Sequence, residues 1–337
     1  MNDRVLSLLE NYDLTVLRSR KGRGAIILET EQGLYQIREY TRRKEKLPIL
    51  ERLVTQVDEA GVCETDHYLA TREGQWYVQD RNEAAYIVKQ FREGRECDIH
   101  DRKELVYGAR LLAGLHRVMK ISDPLFTTGN AMESGDPDTN NPLMEEFCRH
   151  NRELRKVLRY LKHKSQRTEF ELFLLREYAP YMEQAECVAV MCEAENFTAM
   201  YREAAESGQY IHGEYQYHNI LFADSRQTVI NFENAMQETR VRDLYYYLRK
   251  AMEKNDWNEA VGIGILEEYE KINALEDQER RNLFLRLLYP DKFRKIVNCY
   301  FNGPKSLLSG KIEEKLRVLL EQQKARESFL NKHFFFG

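Results

Sequence analysis

The chain has 337 residues, of which 42% are hydrophobic and 31% charged, so it has enough apolar material for the core of an ordinary globular protein. This length exceeds the size at which one core usually stops growing, which predicts two lobes or domains. The 51 basic and 55 acidic residues give a net charge of -4, which excludes a general attraction to nucleic acid or anionic lipid.

The six cysteines are scattered, with no C-x-x-C pair and no Cys/His cluster at metal-ligand spacing, so a zinc site is not expected. The first stretch, MNDRVLSLLENYDL, lacks the apolar run of a signal peptide. No segment approaches the roughly 20 apolar residues that are needed to span a bilayer. These features predict a protein that is cytoplasmic at synthesis, keeps its thiols reduced and does not insert into a membrane.

The first 90 or so residues are predicted to form an antiparallel sheet that carries one helix. After a short helix, the stretches LTVLRSR, AIILETE and GLYQIREY are separated by the turn signals KGRG and EQG, which predicts a three-stranded meander. A helix is predicted over residues 44–60, where apolar side chains recur at 3-4-3 spacing, and Gly61 ends it. Three further short strands follow in HYLAT, QWYVQD and AAYIVKQF.

The rest of the chain is predicted to be mainly helical. Asp98 or Asp101 caps a long helix, and residues 121–142, with three prolines and two glycines, are expected to form a flexible loop. The stretches NILFAD and QTVINFE predict one hairpin among the helices. The result is an α+β protein with a β-rich lobe at residues 1–93 and a helical lobe at residues 94–337, which is the order found in kinase-type phosphotransferases.

The stretch IHGEYQYHNILFADSRQTVINFENA, residues 211–235, has the outline of a phosphotransferase site. Such enzymes position a hydroxyl group and neutralise phosphate charge, using a loop carboxylate, a metal-binding amide five residues later and a second metal ligand after a hairpin. Glu214, Asn219 and Asn231 stand at these three places. Glu233 lies two residues beyond Asn231, so in an extended segment both side chains point the same way, and it is predicted as a further metal ligand.

The His212-Gly213 pair, the Glu214 to Asn219 interval and the hairpin resemble the H-G-D-x-x-x-x-N motif and I-D-F element of aminoglycoside phosphotransferases and choline kinases. Seven stretches in order along the chain most resemble the spore coat protein CotS family of bacterial spore formers: GLYQIREY, ATREGQWYV, FREGRECD, LAGLH, LRKVLRYLKHKSQRTEFELFLL, VRDLYYYLRK and LLYPDKFRKIVNCYFN. The resemblance implies a bilobal protein kinase-like fold, with ATP and Mg2+ as the cofactors of that fold. It also implies other spore coat proteins as partners, and assembly on the spore coat after synthesis.

Three positions depart from the family pattern where chemistry occurs. Arg38 replaces a lysine that contacts phosphates, and its planar fork does not match a compact ammonium. Glu214 replaces an aspartate and moves the carboxylate by roughly 1 Å, a shift that can cost about a hundredfold in rate. Asn231 replaces an aspartate and lacks the charge that holds magnesium.

These departures favour a pseudokinase with a structural or adaptor role in the spore coat. The alternative is an active ATP- and Mg2+-dependent phosphotransferase that acts on a small hydroxylated molecule or on a coat protein. In that case Glu214 is the base, and Asn219 and Glu233 hold the metal.

The resemblance also implies supporting residues for a nucleotide. The cation at Arg38 is expected to pair with a glutamate of the first long helix, and spacing does not separate Glu45 from Glu51. The strand YIVKQF occupies the place of the hinge, so the backbone near Gln90 is where an adenine would bind.

Two more residues are predicted to support the loop rather than to react. His212 is interpreted as a hydrogen-bond donor that braces the loop, and Asp243 as a helix cap that steadies it. The terminal rings Phe334 to Phe336 are expected to dock on their own lobe or on another protein.

Overall fold

The computed structural model describes residue 5 and residues 7–121, 141–223, 227–303 and 309–334. Most of the predicted loop at residues 121–142, the centre of the turn ADSRQ and the rings of Phe335 and Phe336 lie outside the described residues. None of the described helices combines the length and the apolar character needed to cross a membrane.

The described strands are β1 (Val16–Gly22), β2 (Ala25–Thr30), β3 (Gly33–Glu39), β4 (Glu64–Thr65), β5 (Tyr68–Leu69), β6 (Val78–Gln79), β7 (Ala85–Gln90), β8 (Arg95–Glu96), β9 (Tyr210–Ile211), β10 (Ile220–Phe222), β11 (Gln227–Val229) and β12 (Met236–Gln237). The described α-helices are α1 (Leu47–Glu59), α2 (Arg102–Val118), α3 (Pro142–His163), α4 (Glu169–Ala194), α5 (Thr198–Glu206), α6 (Val241–Lys254), α7 (Glu259–Glu270), α8 (Asp277–Leu288), α9 (Asp291–Asn302) and α10 (Ser309–Phe334). Short 3-10 helices lie at Ser7–Asn11, Lys44–Lys46, Tyr217–Asn219 and Phe232–Asn234.

The largest sheet has the order β1-β2-β3-β7-β5, and β6 also pairs with β7. The meander of β1, β2 and β3 is antiparallel, as predicted. One face of the sheet packs Leu28, Ile37 and Val88 into a hydrophobic core. On the opposite face, Arg38 pairs in register with Ile87, so Lys89, two residues further along β7, points to the same side as Arg38.

A second sheet holds the predicted hairpin. The hairpin of β10 and β11 is confirmed, and β4 extends it in parallel along β11 while β8 pairs antiparallel with β10. These two flanking strands have two residues each, which is too short for a sequence pattern to reveal. Strands β9 and β12 also pair with each other, so the segment between them, which carries the predicted loop and hairpin, begins and ends at one place.

Of the three helices predicted for the first part of the chain, the two long ones are α-helices, and the short first one is described as the 3-10 helix Ser7–Asn11. In α1 the apolar positions found in the sequence are fully buried: Leu47, Leu50, Val54 and Val57. The cap of α2 is Asp101 rather than Asp98, because the Asp101 side chain accepts hydrogen bonds from the N-H groups of Lys103 and Glu104.

The chain divides into two compact units, Met1–Ala131, Glu206–Tyr247 and Ile265–Asn273 in the first, and Met132–Ala205, Leu248–Gly264 and Ala274–Gly337 in the second. The lobe boundary that we placed between residues 93 and 94 stays a prediction. The second unit is helical where it is described, and its core contains stacked aromatic rings. Phe147 stacks on Tyr289 and Tyr181 on Phe293, with centroids 4.4 Å and 4.3 Å apart. The ring of Phe334 is buried near Phe329.

His67 connects helix α1 to the start of β5. Its Nδ1 lies 2.8 Å from Glu51 Oε1 and its Nε2 lies 2.8 Å from Asp58 Oδ2. The hydrogen bonds to Asp58 and Glu51 raise the pKa of His67 from 6.5 to about 9, against the opposing effect of burial. His67 is therefore an imidazolium at neutral pH that bridges two carboxylates of one helix.

Thr168 starts helix α4 with a capping box. Its Oγ1 accepts the N-H of Glu171 at 3.2 Å, and the Glu171 carboxylate accepts the N-H of Thr168 at 2.9 Å. We expect Thr168→Ala to lower the free energy of unfolding by about 1 kcal/mol in urea denaturation, because it removes one partner of the cap. Thr168→Ser keeps the hydroxyl and is the control; equal losses in both variants would show that the cap is not the cause.

The His67 bridge predicts a pH dependence of stability. Since the folded-state pKa is raised, the bridge stabilises fully below pH 6.5 and its contribution is lost as the pH rises towards about 9. At pH 6 we expect the parent to have a larger free energy of unfolding than His67→Gln. We expect this difference to shrink by about 1 kcal/mol by pH 9. The figure is smaller than the pKa shift alone would give, because solvent screens the charge of a half-buried group. A gap that is constant across this range would contradict the bridge.

Candidate functional site

A cavity of about 620 Å³ lies in the first unit, between the β1 to β3 strands, the segment after β7 and the loop with its hairpin. Five residues that the sequence singled out line it together: Arg38, Glu214, Asn219, Asn231 and Glu233. The fold thus brings the predicted base and metal positions to one place, although they are spread over almost 200 residues of sequence.

The loop that carries Glu214 is fixed from below by Asp243. The two carboxylate oxygens of Asp243 accept the backbone N-H groups of His212 and Gly213 at 2.7 Å and 3.0 Å. His212 in turn donates from Nε2 to the carbonyl of Ile230 at 3.0 Å, and its Nδ1 accepts the N-H of Glu214 at 3.2 Å. Gly213 has φ +79, and a Cβ there would overlap the backbone of the turn after the hairpin, so this position requires glycine.

The two amides predicted as metal ligands are hydrogen-bonded to each other. Asn231 donates from Nδ2 to Asn219 Oδ1 at 2.8 Å, and Asn219 donates from Nδ2 to the carbonyl of Glu214 at 2.9 Å. Asn231 has φ 69 and ψ 56, the left-handed region that asparagine and aspartate tolerate better than other side chains. An aspartate here would place an oxygen, instead of a donor, against Asn219 Oδ1.

Lys89, on strand β7, contacts Asn231 together with two carboxylates. Its Nζ lies 2.6 Å from Asp66 Oδ2, 2.6 Å from Glu233 Oε1 and 3.2 Å from Asn231 Oδ1. The side chains of Lys89 and Asp66 are fully buried. The backbone N-H of Asn231 donates to both oxygens of Asp66, at 3.1 Å and 3.2 Å.

Arg38 approaches from the cavity. Its Nη1 donates to Asn231 Oδ1 at 3.0 Å and lies 3.5 Å from Glu233 Oε1. Asn231 Oδ1 and Glu233 Oε1 therefore each have two cationic neighbours, Arg38 and Lys89.

In the cluster of Arg38, Asp66, Lys89 and Glu233, neighbouring opposite charges act against the effect of burial on the pKa values of Lys89, Glu233 and Asp66. Burial alone would lower the pKa of Lys89, but the carboxylates of Asp66 and Glu233 outweigh it and hold the pKa above its ordinary value. Burial likewise opposes ionisation of Glu233, yet Lys89 and Arg38 keep the pKa of Glu233 below its ordinary value. Burial raises the pKa of Asp66, and the nearby Lys89 charge works in the opposite direction. Two cations and two carboxyl groups thus meet in one largely buried cluster.

Sequence reasoning missed Lys89 and Asp66. Lys89 did carry a signal, because it interrupts the apolar run of AAYIVKQF, and a lysine in a buried strand is rare unless it is paired. Asp66, in the stretch ETDHYL, gave no comparable signal. Its position depends on the short parallel pairing of β4 with β11, which sets residue 66 beside residue 231.

The predicted nucleotide contacts are only partly brought together. Arg38 lines the cavity, whereas Glu51 and Gln90 are not among the described residues that line it. The Glu51 carboxylate is bonded to His67 and to the N-H of Tyr68 at 2.7 Å, and the N-H of Gln90 donates to the carbonyl of His67 at 2.8 Å. Among the described contacts Arg38 pairs with neither Glu51 nor Glu45, because its guanidinium turns towards residues 231 and 233.

The residues present do not fit a magnesium ion as they are arranged. Magnesium prefers an octahedron of oxygen ligands that includes carboxylates. Here the carboxylates of Asp66 and Glu233 are bound to the Lys89 ammonium, and the amide oxygens of Asn219 and Asn231 accept from side chains. Among the described residues, no group of three or more His, Cys, Asp or Glu side chains is placed to hold a metal.

Comparison with solved structures identifies the fold. An aminoglycoside phosphotransferase from Alicyclobacillus acidocaldarius superposes with a TM-score of 0.80 at 17% identity, covering 98% of this chain and 95% of that one. A spectinomycin phosphotransferase in complex with ADP and spectinomycin gives 0.65 at 11% identity, covering 96% and 97%. The amicoumacin kinase with AMP-PNP and Ca2+ gives 0.55 at 11%, covering 97% and 93%. The protein kinase-like fold predicted from the sequence is therefore confirmed.

Comparison by sequence gives the family. A search of curated proteins finds no match to this sequence. The profile of the family described as "Spore coat putative kinase YutH" matches residues 6–333, nearly the whole chain, in agreement with the resemblance to spore coat proteins. On its sequence and its fold together, the chain belongs to this spore coat family of kinase-like proteins.

Proposed function

We propose that this protein is a pseudokinase that serves as a structural or adaptor component of the bacterial spore coat and does not transfer phosphate. The observation that carries the proposal is the Asn231 side chain, which donates to Asn219 and accepts from Arg38 and Lys89. The two positions that would hold a metal are bonded to each other instead.

The charge of the cleft supports this proposal. Phosphoryl transfer depends on metal ions that neutralise charge on the moving phosphate, and those ions are held by carboxylates. Around residue 231, the formal charges of Arg38 and Lys89 balance those of Asp66 and Glu233. Asn231 itself adds none, so this cluster has no net negative charge with which to attract Mg2+ and its bound nucleotide.

Glu214, at the place of the base, has neighbours of its own. Asn234 donates from Nδ2 to Glu214 Oε2 at 2.6 Å, and Gln216 Nε2 lies 3.4 Å from Glu214 Oε1. These hydrogen bonds orient the carboxylate within the loop. Its longer side chain therefore has a fixed position that differs from that of an aspartate, which supports a cleft that has lost its catalytic geometry.

Membership of the spore coat family supports the proposed place of action and partners. We propose that the protein is made in the cytoplasm and assembles on the spore coat, where other coat proteins are its partners.

The second candidate is an active phosphotransferase, and one observation favours it. Glu214, Asn219 and Glu233 line a single cavity, and the solved structures of the same fold include an aminopropanol kinase and phosphotransferases bound to nucleotide. In this alternative Glu214 accepts the proton of a hydroxyl on a small molecule or a coat protein. Glu233 would then have to leave Lys89.

Thermal-shift titration with ATP, with and without Mg2+, tests the proposal on the parent and on Asn231→Asp. We expect no Mg2+-dependent stabilisation in the parent. In the variant we expect Mg2+ with ATP to raise the Tm by about 2–4 °C. The new carboxylate adds a negative charge and sets an oxygen beside Asn219 Oδ1, so both oxygens are available to the metal. Asn231→Gly, which tolerates the left-handed backbone and adds no charge, is the matched control and should not respond.

Turnover separates the two candidates. Mg2+-dependent ATP turnover by the parent that is abolished in Glu214→Gln would overturn the pseudokinase proposal. Calorimetry in which neither ATP nor Mg2+ binds at millimolar concentration would exclude the phosphotransferase.

A further inference from the structure

Lys89 has the surroundings of a bound cation rather than those of a phosphate-binding side chain. Its ammonium has three N-H donors, and it has three oxygen neighbours: Asp66 Oδ2 and Glu233 Oε1 at 2.6 Å, and Asn231 Oδ1 at 3.2 Å. The side chain is fully buried, and Lys89 is not among the described residues that line the cavity. Every donor is used inside the protein.

We infer that the Lys89 ammonium is the resident cation of this cleft: it holds the oxygens of Asp66, Asn231 and Glu233 together, as a metal ion would, and makes the shape of the cleft independent of metal and nucleotide. This inference deepens the proposed function and rests on the absence of metal-dependent phosphate transfer. It assigns Lys89 a positioning role, because the ammonium does not reach a ligand in the cavity.

The energetics of burial explain why a cation is needed here. Asp66 is fully buried and Glu233 nearly so, and removing the partner of a buried charge is strongly destabilising. Arg38 does not fill this role alone, since its side chain is 31% exposed and lies 3.5 Å from Glu233. Within the described part of the chain, Arg38 forms no hydrogen bond or ion pair with Asp66. Lys89 is therefore the cation that serves both carboxylates.

The geometry also separates this role from that of the lysine expected on the third strand. An ammonium that binds phosphate must offer a donor to the cavity. Lys89 comes from β7, and to offer one it would have to leave Asp66 or Glu233. Lys89 therefore cannot bind a phosphate in the cavity and keep both of its carboxylate partners at the same time.

The test is to remove the positive charge of Lys89 by substitution and to supply a divalent metal ion in its place. Lys89→Met keeps an unbranched side chain up to the position of Cε, removes the ammonium group and leaves two carboxylates without their common partner. We expect its Tm to fall well below that of the parent. We expect millimolar MgCl2, MnCl2 or CaCl2 to recover part of the loss, by about 2–4 °C or more, whereas the parent does not respond. Choline chloride at equal ionic strength controls for simple screening.

The matched control is the double variant Lys89→Met/Asp66→Asn. It removes one carboxylate charge, so we expect it to be more stable than Lys89→Met without metal and to lose most of the response to divalent ions. If Lys89→Met folds only when refolded with Mn2+, the inference is supported. If it does not fold with metal although the double variant folds, the inference is overturned.

Two further results would also overturn it. One is an equal Tm for Lys89→Met and the parent without metal; the other is an equal metal response in the single and double variants. ATP turnover by the parent is measured separately and tests the proposed function, so a failure of one idea is distinguished from a failure of the other.

Discussion

The structure of the cleft depends on the burial of Lys89 between Asp66 and Glu233. Two carboxyl groups removed from water require a compensating charge, and the Lys89 ammonium supplies it at 2.6 Å from each. Asn231 completes the arrangement, since its oxygen accepts from Lys89 and its N-H donates to Asp66. The region that metal and nucleotide would otherwise organise is thus organised by side chains of the chain itself.

A second set of contacts, independent of charge compensation by Lys89, fixes the loop on the other side of the cavity. Asp243 holds the backbone of His212 and Gly213, and His212 ties that loop to the strand that leads to Asn231. The framework of a phosphotransferase loop is therefore kept, although Glu214 and Asn231 differ from the aspartates of the motif that the sequence resembles. A retained framework fits the structural or adaptor role that we propose.

Much of the fold was predictable from the sequence because its signals are local. The strand alternation and turn residues of residues 14–40 gave the meander, and the 3-4-3 spacing gave helix α1. The resemblance brought Glu214, Asn219, Asn231 and Glu233 to one place, and the cavity contains all four.

The partners of these residues were not predictable in the same way. Asp66 reaches Asn231 through strands β4 and β11, whose pairing spans two residues, so no periodic pattern marks it. Lys89 was visible only as a charged residue in an apolar strand, and its partners are more than twenty and more than 140 positions away. Glu51 was a predicted partner of Arg38, but its carboxylate is hydrogen-bonded to His67, sixteen residues further along the chain. Pairings over such separations depend on tertiary packing, which a single sequence does not encode as a local signal.

The short ladder of β4 on β11 has a mechanical consequence. Residues 64 and 65 join the end of helix α1 to the hairpin, Thr65 bonds to Asp58 at 2.8 Å, and His67 clasps the same helix twice. In protein kinases the position of the corresponding helix controls activation. Here a movement of α1 relative to the hairpin would have to break the pairing of β4 with β11 and the hydrogen bonds of His67 to Glu51 and Asp58. It would also separate Asp66 from Lys89. The pairing of β4 with β11, the two hydrogen bonds of His67 and the ion pair of Asp66 with Lys89 thus couple any movement of α1 to the hairpin, which would suit the structural role that we propose.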